Sequence, residues 1–337
     1  MRREDFFPVL ERAQDGPLSE DESGAAFGMI MSGEVAQDDL ADFLLTLAQR
    51  GPAVPEIVGA ARALRRAMTT IEANPYAIDL CGTGGDGRAT LNISTACAFV
   101  VAACGVPVAK HGNRSMSSKS GAADVLEALG VKISLSPAQA SRCLRETGLC
   151  FLFAQAYHPA MKHVAEVRKQ IGVRTIFNLL GPLANPARVR KQLVGVYDKA
   201  WCVPLAEVLW HLGTERAWVV NGDGLDELTV SGATHVAILE DSRVTTREVE
   251  PEEAGVARWP LEAIAGADSN HNAAALKRLF AGETGAYRDV VLLNAAAALV
   301  VAGKAADLRE GVQLAAQALD SGAARAKLEA LIAVSNA

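Results

Sequence analysis

The chain has 337 residues, half of them hydrophobic, and its 33 Lys and Arg against 39 Asp and Glu give a formal charge of −6. This balance excludes a general nucleic-acid binder, which needs a basic surface, and the hydrophobic fraction excludes intrinsic disorder. The longest apolar run, VVLLNAAAALVVAG, is shorter than the ~20 residues of a membrane span. The six cysteines show no C-x-x-C pair, as is typical of buried, reduced thiols. We therefore expect a cytoplasmic protein of one large or two unequal domains, with no nucleic-acid or membrane partner.

The first seventy or so residues show only helical patterns. Ser19 and Glu22 have the spacing of a capping box, and apolar residues follow at helical intervals up to Met31. Two further helices are predicted over residues 38–50 and 55–71, the second with Pro55 in its first turn. We predict a small all-helical N-terminal domain over residues 1–72.

From residue 77 onward, short apolar runs alternate with helical segments. The predicted strands are AIDLC, VPVAK, LCFLFA, QLVGVY, AWVVN, and the pair HVAILE and RVTTREV. This alternation is typical of an α/β domain with a mostly parallel central sheet flanked by helices. The stretch 158–186 interrupts the rhythm with a helix and a turn-rich segment. We predict that the α/β domain spans residues 73–337 and that part of 165–190 joins the helical domain.

Four glycines within six residues, GTGGDG (82–87), follow the first predicted strand. Gly82, Gly84 and Gly87 match the dinucleotide fingerprint G-x-G-x-x-G. However, Asp86 inside the loop would repel a pyrophosphate, and the next strand ends in Lys110 where a ribose-binding acid is expected. A Walker P-loop is also excluded, because no Gly-Lys-Ser/Thr follows.

The glycine loop instead predicts a seat for a phosphorylated sugar with a metal ion. Glycines leave backbone N–H groups uncovered at a helix N-terminus, where the helix dipole favours anions. Further donors follow on the same edge, at Thr90, Asn92, Ser94 and Thr95. Asp86 suits this ligand if it faces sugar hydroxyls or a divalent cation shared with the phosphate. A tight turn alone would need fewer glycines.

A second polar segment, PVAKHGNRSMSSKSG (107–121), lies between the second strand and the next helix. It holds Lys110, Arg114 and Lys119 together with Asn113 and several serines. Both polar segments follow strands of a parallel sheet, so they can open at the same carboxyl edge. Polyanions need such cations and hydroxyl donors.

Three motifs carry a family resemblance: GTGGDG, NIST and KHGNR-x-x-SS-x-SG-x-AD-x-LE-x-LG. They resemble anthranilate phosphoribosyltransferases, of the nucleoside phosphorylase-like class. The resemblance continues through residues 158–186 and NGDGLDEL (221–228), and it covers nearly the whole chain. It implies transfer of the 5-phosphoribosyl group from phosphoribosyl pyrophosphate to the amine of anthranilate, releasing pyrophosphate, in the second step of tryptophan biosynthesis from chorismate. It also implies a homodimer and Mg²⁺, with two ions.

The resemblance also implies site residues, position by position. For phosphoribosyl pyrophosphate these are Gly82, Gly85, Asp86, Thr90, Asn92, Ile93, Ser94, Thr95, Lys110, His111, Gly112, Asn113, Arg114, Ser115, Met116, Ser117, Ser118 and Ala122. For anthranilate they are Gly82, Asn113 and Arg168, and for Mg²⁺ they are Ser94, Asp226 and Glu227. Adjacent acids do suit Mg²⁺, and a planar guanidinium suits an aromatic carboxylate.

No acid or base is assigned to catalysis, because an aromatic amine loses its proton readily once it carries positive charge. His111 and His158 are interpreted as residues that line the pocket or position the backbone. Three positions depart from the family pattern. Family members often carry Ser where Ala122 stands, and proline is frequent at the positions of Gln155 and Glu166.

Two other functions are alternatives to this interpretation. A pyrimidine nucleoside phosphorylase shares the fold and a KHGNR-like segment. Such enzymes resemble one another in a lysine-containing loop around Ser-Thr-Gly-Gly-Val-Gly-Asp, and they lack the VRTIFNLLGPLANP context found here with Arg168. A non-catalytic relative that binds nucleic acid would need a basic surface and could lose the glycine loop or the acidic pair, whereas this acidic chain retains both.

Overall fold

The computed structural model describes residues 3–115 and 120–337, and it begins with a bundle of helices. These are α1 (Arg3–Asp15), α2 (Glu20–Ser32), α3 (Gln37–Arg50) and α4 (Val54–Ala67). The predicted capping box starts α2: the Ser19 hydroxyl accepts from the Glu22 N–H, and the Glu22 carboxylate accepts from the Ser19 N–H at 2.7 Å. Helix α4 is shorter than predicted, because the chain becomes extended at Met68 and the Thr69 N–H donates to the Tyr157 carbonyl.

A seven-stranded mixed sheet forms the centre of the rest of the chain. The strands are β1 (Ile78–Gly82), β2 (Val108–Gly112), β3 (Leu149–Phe153), β4 (Lys191–Gly195), β5 (Arg216–Asn221), β6 (Thr234–Glu240) and β7 (Arg243–Val249). Their order is β3-β2-β1-β4-β5-β6-β7, with antiparallel pairing between β5 and β6 and between β6 and β7. The predicted fold class, a helical domain with a mostly parallel α/β domain, is confirmed. Gly82 pairs with Gly195, so β1 and β4 end side by side at the carboxyl edge.

Helices cover both faces of this sheet. The helices that follow β1 in the chain are α5 (Ile93–Ala103), α6 (Ala122–Ala128), α7 (Pro137–Thr147), α8 (Ala154–Tyr157), α9 (Lys162–Ile171), α10 (Phe177–Leu180), α11 (Cys202–His211), α12 (Ser269–Phe280), α13 (Ala286–Ala302), α14 (Leu308–Asp320) and α15 (Ala323–Asn336). One core packs α5 and α13 against the sheet, and a second joins the other face to the helical bundle. Helix α9 packs against α2 and α3, and the expectation that part of 165–190 joins the helical domain stays a prediction. The boundary between residues 72 and 73 stays a prediction.

The described helices and the cysteines can be compared with the sequence predictions. Across the described ranges, no helix combines the length and the apolar character needed to cross a bilayer. All six cysteines are free thiols, and all but Cys104 are buried, as the sequence predicted. Burial raises the pKa of the Cys97 thiol, so it stays protonated and packs as a small apolar side chain.

Candidate active site

The ends of β1 and β4 form a gap that receives Asp226. A Cβ atom on Gly82 would overlap Asp226 Oδ2, and one on Gly195 would overlap the Asp226 carbonyl oxygen. Neither strand end could hold a larger residue without moving the acidic loop. The two glycines therefore bring the predicted acidic pair against the predicted glycine loop.

Hydrogen bonds join Asp226 and Glu227 to the glycine loop and to the first turn of α5, which in turn contacts Lys110 at the end of β2. The Gly84 N–H donates to Asp226 Oδ2 at 2.8 Å, and the Ser94 N–H donates to Glu227 Oε1 at 3.0 Å. The buried Lys110 ammonium donates to Ser94 Oγ at 3.0 Å. These contacts place the glycine loop, the first turn of α5, the end of β2 and the acidic pair in one cluster.

The two amides differ from the expectation of uncovered N–H groups. Gly84 and Ser94 donate to carboxylates, so these donors are already used in the structure. Sequence spacing could not show this, because 142 residues separate Gly84 from Asp226. Carboxylates and a bound phosphate would therefore meet at the same amides, and a cation between them would offset their repulsion.

The carboxylates also repel one another. Burial and the nearby charge of Asp86 raise the pKa of Asp226. Burial and the charge of Asp226 raise the pKa of Glu227 to about 8, although Lys110 opposes this. Such a group of carboxylates fits a divalent cation that restores charge balance.

The donor set favours Mg²⁺ shared with a ligand. Within residues 3–115 and 120–337, no three His, Cys, Asp or Glu side chains are grouped as a metal site. Mg²⁺ is typically held by one or two carboxylates together with water and phosphate oxygens. Asp226 and Glu227 with the Ser94 hydroxyl are hard oxygen donors of that kind, so the residues fit the ion.

Asn92 is held by residues that the sequence analysis did not assign. Asn272 Nδ2 donates to Asn92 Oδ1 at 2.9 Å, and the Tyr287 hydroxyl donates to the Asn92 carbonyl at 3.2 Å. The buried Asn272 is itself fixed, because its Oδ1 accepts from the Ala267 N–H. The Asn92 amide nitrogen lies 3.4 Å from the Ser120 carbonyl. Asn272 therefore sets which way the Asn92 amide points.

Asn294 is a second positioning residue that the sequence analysis missed. Its Oδ1 accepts from the Leu228 N–H at 2.9 Å, and its Nδ2 donates to the Leu228 carbonyl at 2.8 Å. The side chain is fully buried in α13 and holds the backbone directly after Glu227. A single Asn inside the apolar run VVLLNAAAALVV is a sequence signal for such a buried hydrogen-bonding role.

His111 and His158 form a buried pair. His111 Nε2 lies 3.1 Å from His158 Nε2, and His111 Nδ1 lies 3.2 Å from the Gly181 carbonyl. Burial lowers the pKa of His111 to about 3 and that of His158 to about 4. Both rings are therefore neutral. The His111 backbone N–H donates to the buried Asp79 carboxylate, and this hydrogen bond holds the end of β2. That the two rings line the pocket or position the backbone stays a prediction.

The remaining residues of the second segment are only partly described. The Arg114 guanidinium pairs with Asp124 at 2.9 Å and with Glu127 at 2.6 Å, so its charge is balanced within the protein. The Ser115 N–H donates to Asp124, and Asn113 Oδ1 accepts from the Arg114 N–H. The predicted residues that lie outside the described ranges are Met116, Ser117, Ser118 and Lys119.

Several residues predicted to bind phosphoribosyl pyrophosphate form contacts within the protein. Gly85 offers its carbonyl to Arg174, and Asp86 Oδ1 accepts from the Arg88 N–H at 3.0 Å. Thr90 forms a β-bridge with Ala265. The other positions are Ile93 and Thr95, buried in the first turn of α5, and Gly112 and Ala122, where β2 meets α6.

Arg168 lies on α9, at the bundle side of the site. Its guanidinium is partly buried, and it stacks 5.5 Å from the centre of the Phe177 ring. Among the described residues no carboxylate forms an ion pair with it, and burial lowers its pKa. No described contact joins it to Gly82 or Asn113, its predicted partners around anthranilate. A partly buried cation of this kind is suited to a carboxylate ligand.

Arg174, which follows α9, contacts the glycine loop. Its guanidinium donates to the Gly85 carbonyl and stacks 4.3 Å from the centre of the Tyr197 ring. The Tyr197 N–H in turn donates to the Thr83 hydroxyl at 3.1 Å. Arg174 was missed because nothing in the sequence distinguishes it from the neighbouring surface cations.

Comparison with known families matches both parts of the chain. Residues 9–68 match the helical bundle domain of a glycosyl transferase family, and residues 74–325 match the a/b domain of that family. An anthranilate phosphoribosyltransferase of Azorhizobium caulinodans is 56% identical over 97% of this chain and 96% of its own length. One from Rhodopseudomonas palustris strain BisA53 is 54% identical over 98% of each chain.

Solved structures agree with the sequence relatives. The chain superposes on an anthranilate phosphoribosyltransferase of Thermus thermophilus with a TM-score of 0.94 and 43% identity, covering 98% of this chain and 99% of the other. It also superposes on the Saccharomyces cerevisiae enzyme in complex with PRPP and Mg, with a TM-score of 0.91 and 27% identity over 99% of each chain. The yeast enzyme with 4-fluoroanthranilate gives a TM-score of 0.86 at 27% identity, over 95% of this chain and 94% of the other.

Proposed function

The chain belongs to the anthranilate phosphoribosyltransferase family, and we propose which of its residues bind the donor, the metal and the acceptor. The activity is transfer of the phosphoribosyl group to anthranilate in tryptophan biosynthesis. The observation that carries the proposal is the cluster of Asp226 and Glu227 with the glycine loop and the first turn of α5.

Phosphoribosyl pyrophosphate binds between the glycine loop and the segment after β2. The positive end of α5 and the buried Lys110 supply favourable potential for its phosphates. Asn92, fixed by Asn272, presents its amide nitrogen as a donor. A relative solved in complex with PRPP and Mg supports the type of ligand.

Asp226, Glu227 and Ser94 would hold Mg²⁺, in two ions as the resemblance implies. When bound, Mg²⁺ would neutralise charge on the departing diphosphate. The carboxylates must then be ionised, and the cation that they bind offsets the burial that raises their pKa. The Glu227 carboxylate stays beside the first turn of α5 because it accepts a hydrogen bond from the Ser94 N–H.

The acceptor reaches the site from the side of α9. The Arg168 guanidinium pairs with the anthranilate carboxylate, and this orients the amine toward the anomeric carbon of the ribose. No described side chain is needed to remove a proton before attack, and the neutral His111–His158 pair keeps the adjoining backbone in place. The residues accelerate the reaction by positioning and by electrostatic stabilisation of the leaving group.

We extend the proposal to the assembly and its location. The active form is a homodimer that associates through the helical bundle. The resemblance of the sequence to this family supports this. The free, buried thiols support a reducing, cytoplasmic location. Light scattering of the purified chain tests the dimer.

Anthranilate fluorescence tests the proposed function. The signal should fall only when phosphoribosyl pyrophosphate and Mg²⁺ are both present, and Glu227→Gln should lose most of the rate. Asp223→Asn is the matched control, because Asp223 is an exposed acid of the same segment. Phosphorolysis of thymidine or uridine, with no use of anthranilate, would contradict the proposal and support a nucleoside phosphorylase.

A further inference from the structure

A cavity of about 400 Å³ lies away from the candidate active site. Its lining includes three arginines of α4, one arginine of the loop before β4 and the last residue of α11: Arg62, Arg65, Arg66, Arg188 and His211. Strands β4 and β5 begin beside this cavity, whereas the active site lies where β1 and β4 end. The cavity therefore lies at the amino ends of the parallel strands, and the candidate active site lies at their carboxyl ends.

The arginines of this cavity carry more positive charge than their neighbours balance. Arg62 pairs with Glu20 on α2. In the described part of the chain, Arg65, Arg66 and Arg188 form no ion pair. Burial and the charges of Arg188 and Arg62 lower the pKa of Arg65 to about 10, as expected where guanidinium groups repel one another. This local excess stands out in a chain whose net charge is −6.

Part of the cluster has a structural role. Arg62 donates to the His211 carbonyl at 3.0 Å, and Arg65 donates to the Leu212 carbonyl at 3.1 Å. Cations are favoured at the C-terminus of a helix such as α11, so capping accounts for these two residues. Capping does not account for Arg66, whose hydrogen bond to the Gly24 carbonyl is long at 3.4 Å. Nor does it account for Arg188, whose side chain has no hydrogen bond or ion pair to the described residues.

We infer that this cavity is a binding site for a small oxyanion with two or three negative charges, carried by phosphate or carboxylate groups. Guanidinium groups pair with both kinds of oxyanion in a bidentate manner. Within the described chain, Arg66 and Arg188 have neither an ion pair nor a capping role, which matches a dianion, and Arg65 adds a third charge without an ion pair, which would match a trianion. The volume lies in the range of small-molecule sites. The inference does not rest on the function proposed above.

The position of the cavity indicates what the anion would do. Arg65 and Arg66 belong to the helical bundle, while Arg188 belongs to the α/β part. Arg65 also donates to the Leu183 carbonyl at 2.6 Å, in the turn that follows α10. An anion shared by these arginines would tie α4 to the sheet, so we expect it to stabilise the folded chain through binding linkage.

Calorimetry with inorganic phosphate and with citrate tests this inference on the full chain. The variant Arg66→Gln/Arg188→Gln removes two cations that have little structural contact to lose. The control Arg258→Gln/Arg325→Gln removes the same net charge from exposed pairs elsewhere. We expect the first variant to bind the preferred probe at least about tenfold more weakly and to lose its thermal stabilisation. The control should bind it as the unaltered chain does, and all three should keep the same kcat.

The two probes distinguish the sources, since stronger binding of phosphate indicates a phosphorylated ligand and stronger binding of citrate a polycarboxylate. Phosphate held at the active site would remain in the double variant and appear as a second class of sites. Identical isotherms for the double variant and the unaltered chain would overturn the inference. So would a selenate soak that labels the cavity only at crystal concentration, while calorimetry detects neither probe there; that outcome identifies an adventitious ion only.

Discussion

Oδ2 of Asp226 lies 2.8 Å from the backbone nitrogen of Gly84, which donates a hydrogen bond to it across 142 residues of sequence. Glu227 accepts in the same way from the Ser94 N–H at 3.0 Å. Two adjacent acids thus hold the glycine loop against the start of α5. They also occupy donors that suit a phosphate, so a cation between the ligand and the acids would offset their repulsion.

Gly195→Ala should displace the acidic loop, because its Cβ would overlap the Asp226 carbonyl oxygen. A shift of about 1 Å at a reacting centre costs on the order of 10²-fold in rate, so kcat/KM should fall by at least that factor. Gly232→Ala is the control, since its Cβ would meet nothing within 4 Å. Steady-state kinetics on both variants would contradict the account if they lost activity equally.

Asn272→Ala should raise the KM for phosphoribosyl pyrophosphate while the KM for anthranilate stays unchanged. The substitution removes the hydrogen bond that orients Asn92. Such a bond is worth about 1 kcal/mol, which corresponds to roughly a fivefold loss. Asn270→Ala changes an exposed residue of the same helix and serves as control. An equal rise in both KM values would show that Asn272 supports the fold in general and not the donor site.

The His111–His158 pair should make the protein acid-sensitive. Both pKa values are lowered by burial, to about 3 and about 4, while an unfolded histidine titrates near 6.5. Below about pH 6.5 the unfolded chain therefore binds protons that the folded chain does not, so stability falls as pH decreases toward 4 and is fully present above about pH 7. Urea unfolding at several pH values measures the slope.

The slope should flatten in His158→Gln, even if that variant is less stable at neutral pH. His271→Gln changes an exposed histidine and should leave the slope as it is. If His158→Gln kept the full dependence between about pH 6.5 and 4, the buried pair would not be its source.

Arg168→Ala should weaken the use of anthranilate far more than binding of the donor. The partly buried guanidinium forms no ion pair with the described residues and is available for the substrate carboxylate. Loss of a charged hydrogen bond costs about 1.5–3 kcal/mol, or roughly 10- to 100-fold in the KM for anthranilate. Lys169→Ala, at the exposed neighbouring position, is the control. Equal losses for donor and acceptor in calorimetry would refute the assigned role.

Local patterns predicted most of the elements. The capping box at Ser19 and Glu22 marked the start of α2, and alternating strand and helix patterns predicted a mostly parallel sheet flanked by helices. The end of α4 was predicted too late, because the chain leaves the helix for a hydrogen bond to the Tyr157 carbonyl, which no local pattern reveals.

Site residues could be predicted from the sequence only where they belong to a recognisable motif. The sequence placed Asp226 and Glu227 beside the donor by resemblance, but it could not show that these acids use the amides of Gly84 and Ser94. Asn272 and Arg174 act on the site from distant parts of the chain, through single side-chain contacts. Such contacts depend on the tertiary fold and leave no mark on residue spacing.

The most direct test of the central claim is anomalous diffraction from crystals grown with phosphoribosyl pyrophosphate and Mn²⁺ in place of Mg²⁺. The account predicts a metal peak at coordination distance from the Asp226 or Glu227 carboxylate, a second near the Ser94 hydroxyl, and donor phosphates at the glycine loop. Donor and metal bound elsewhere, or metal absent from these carboxylates at saturating concentration, would contradict it.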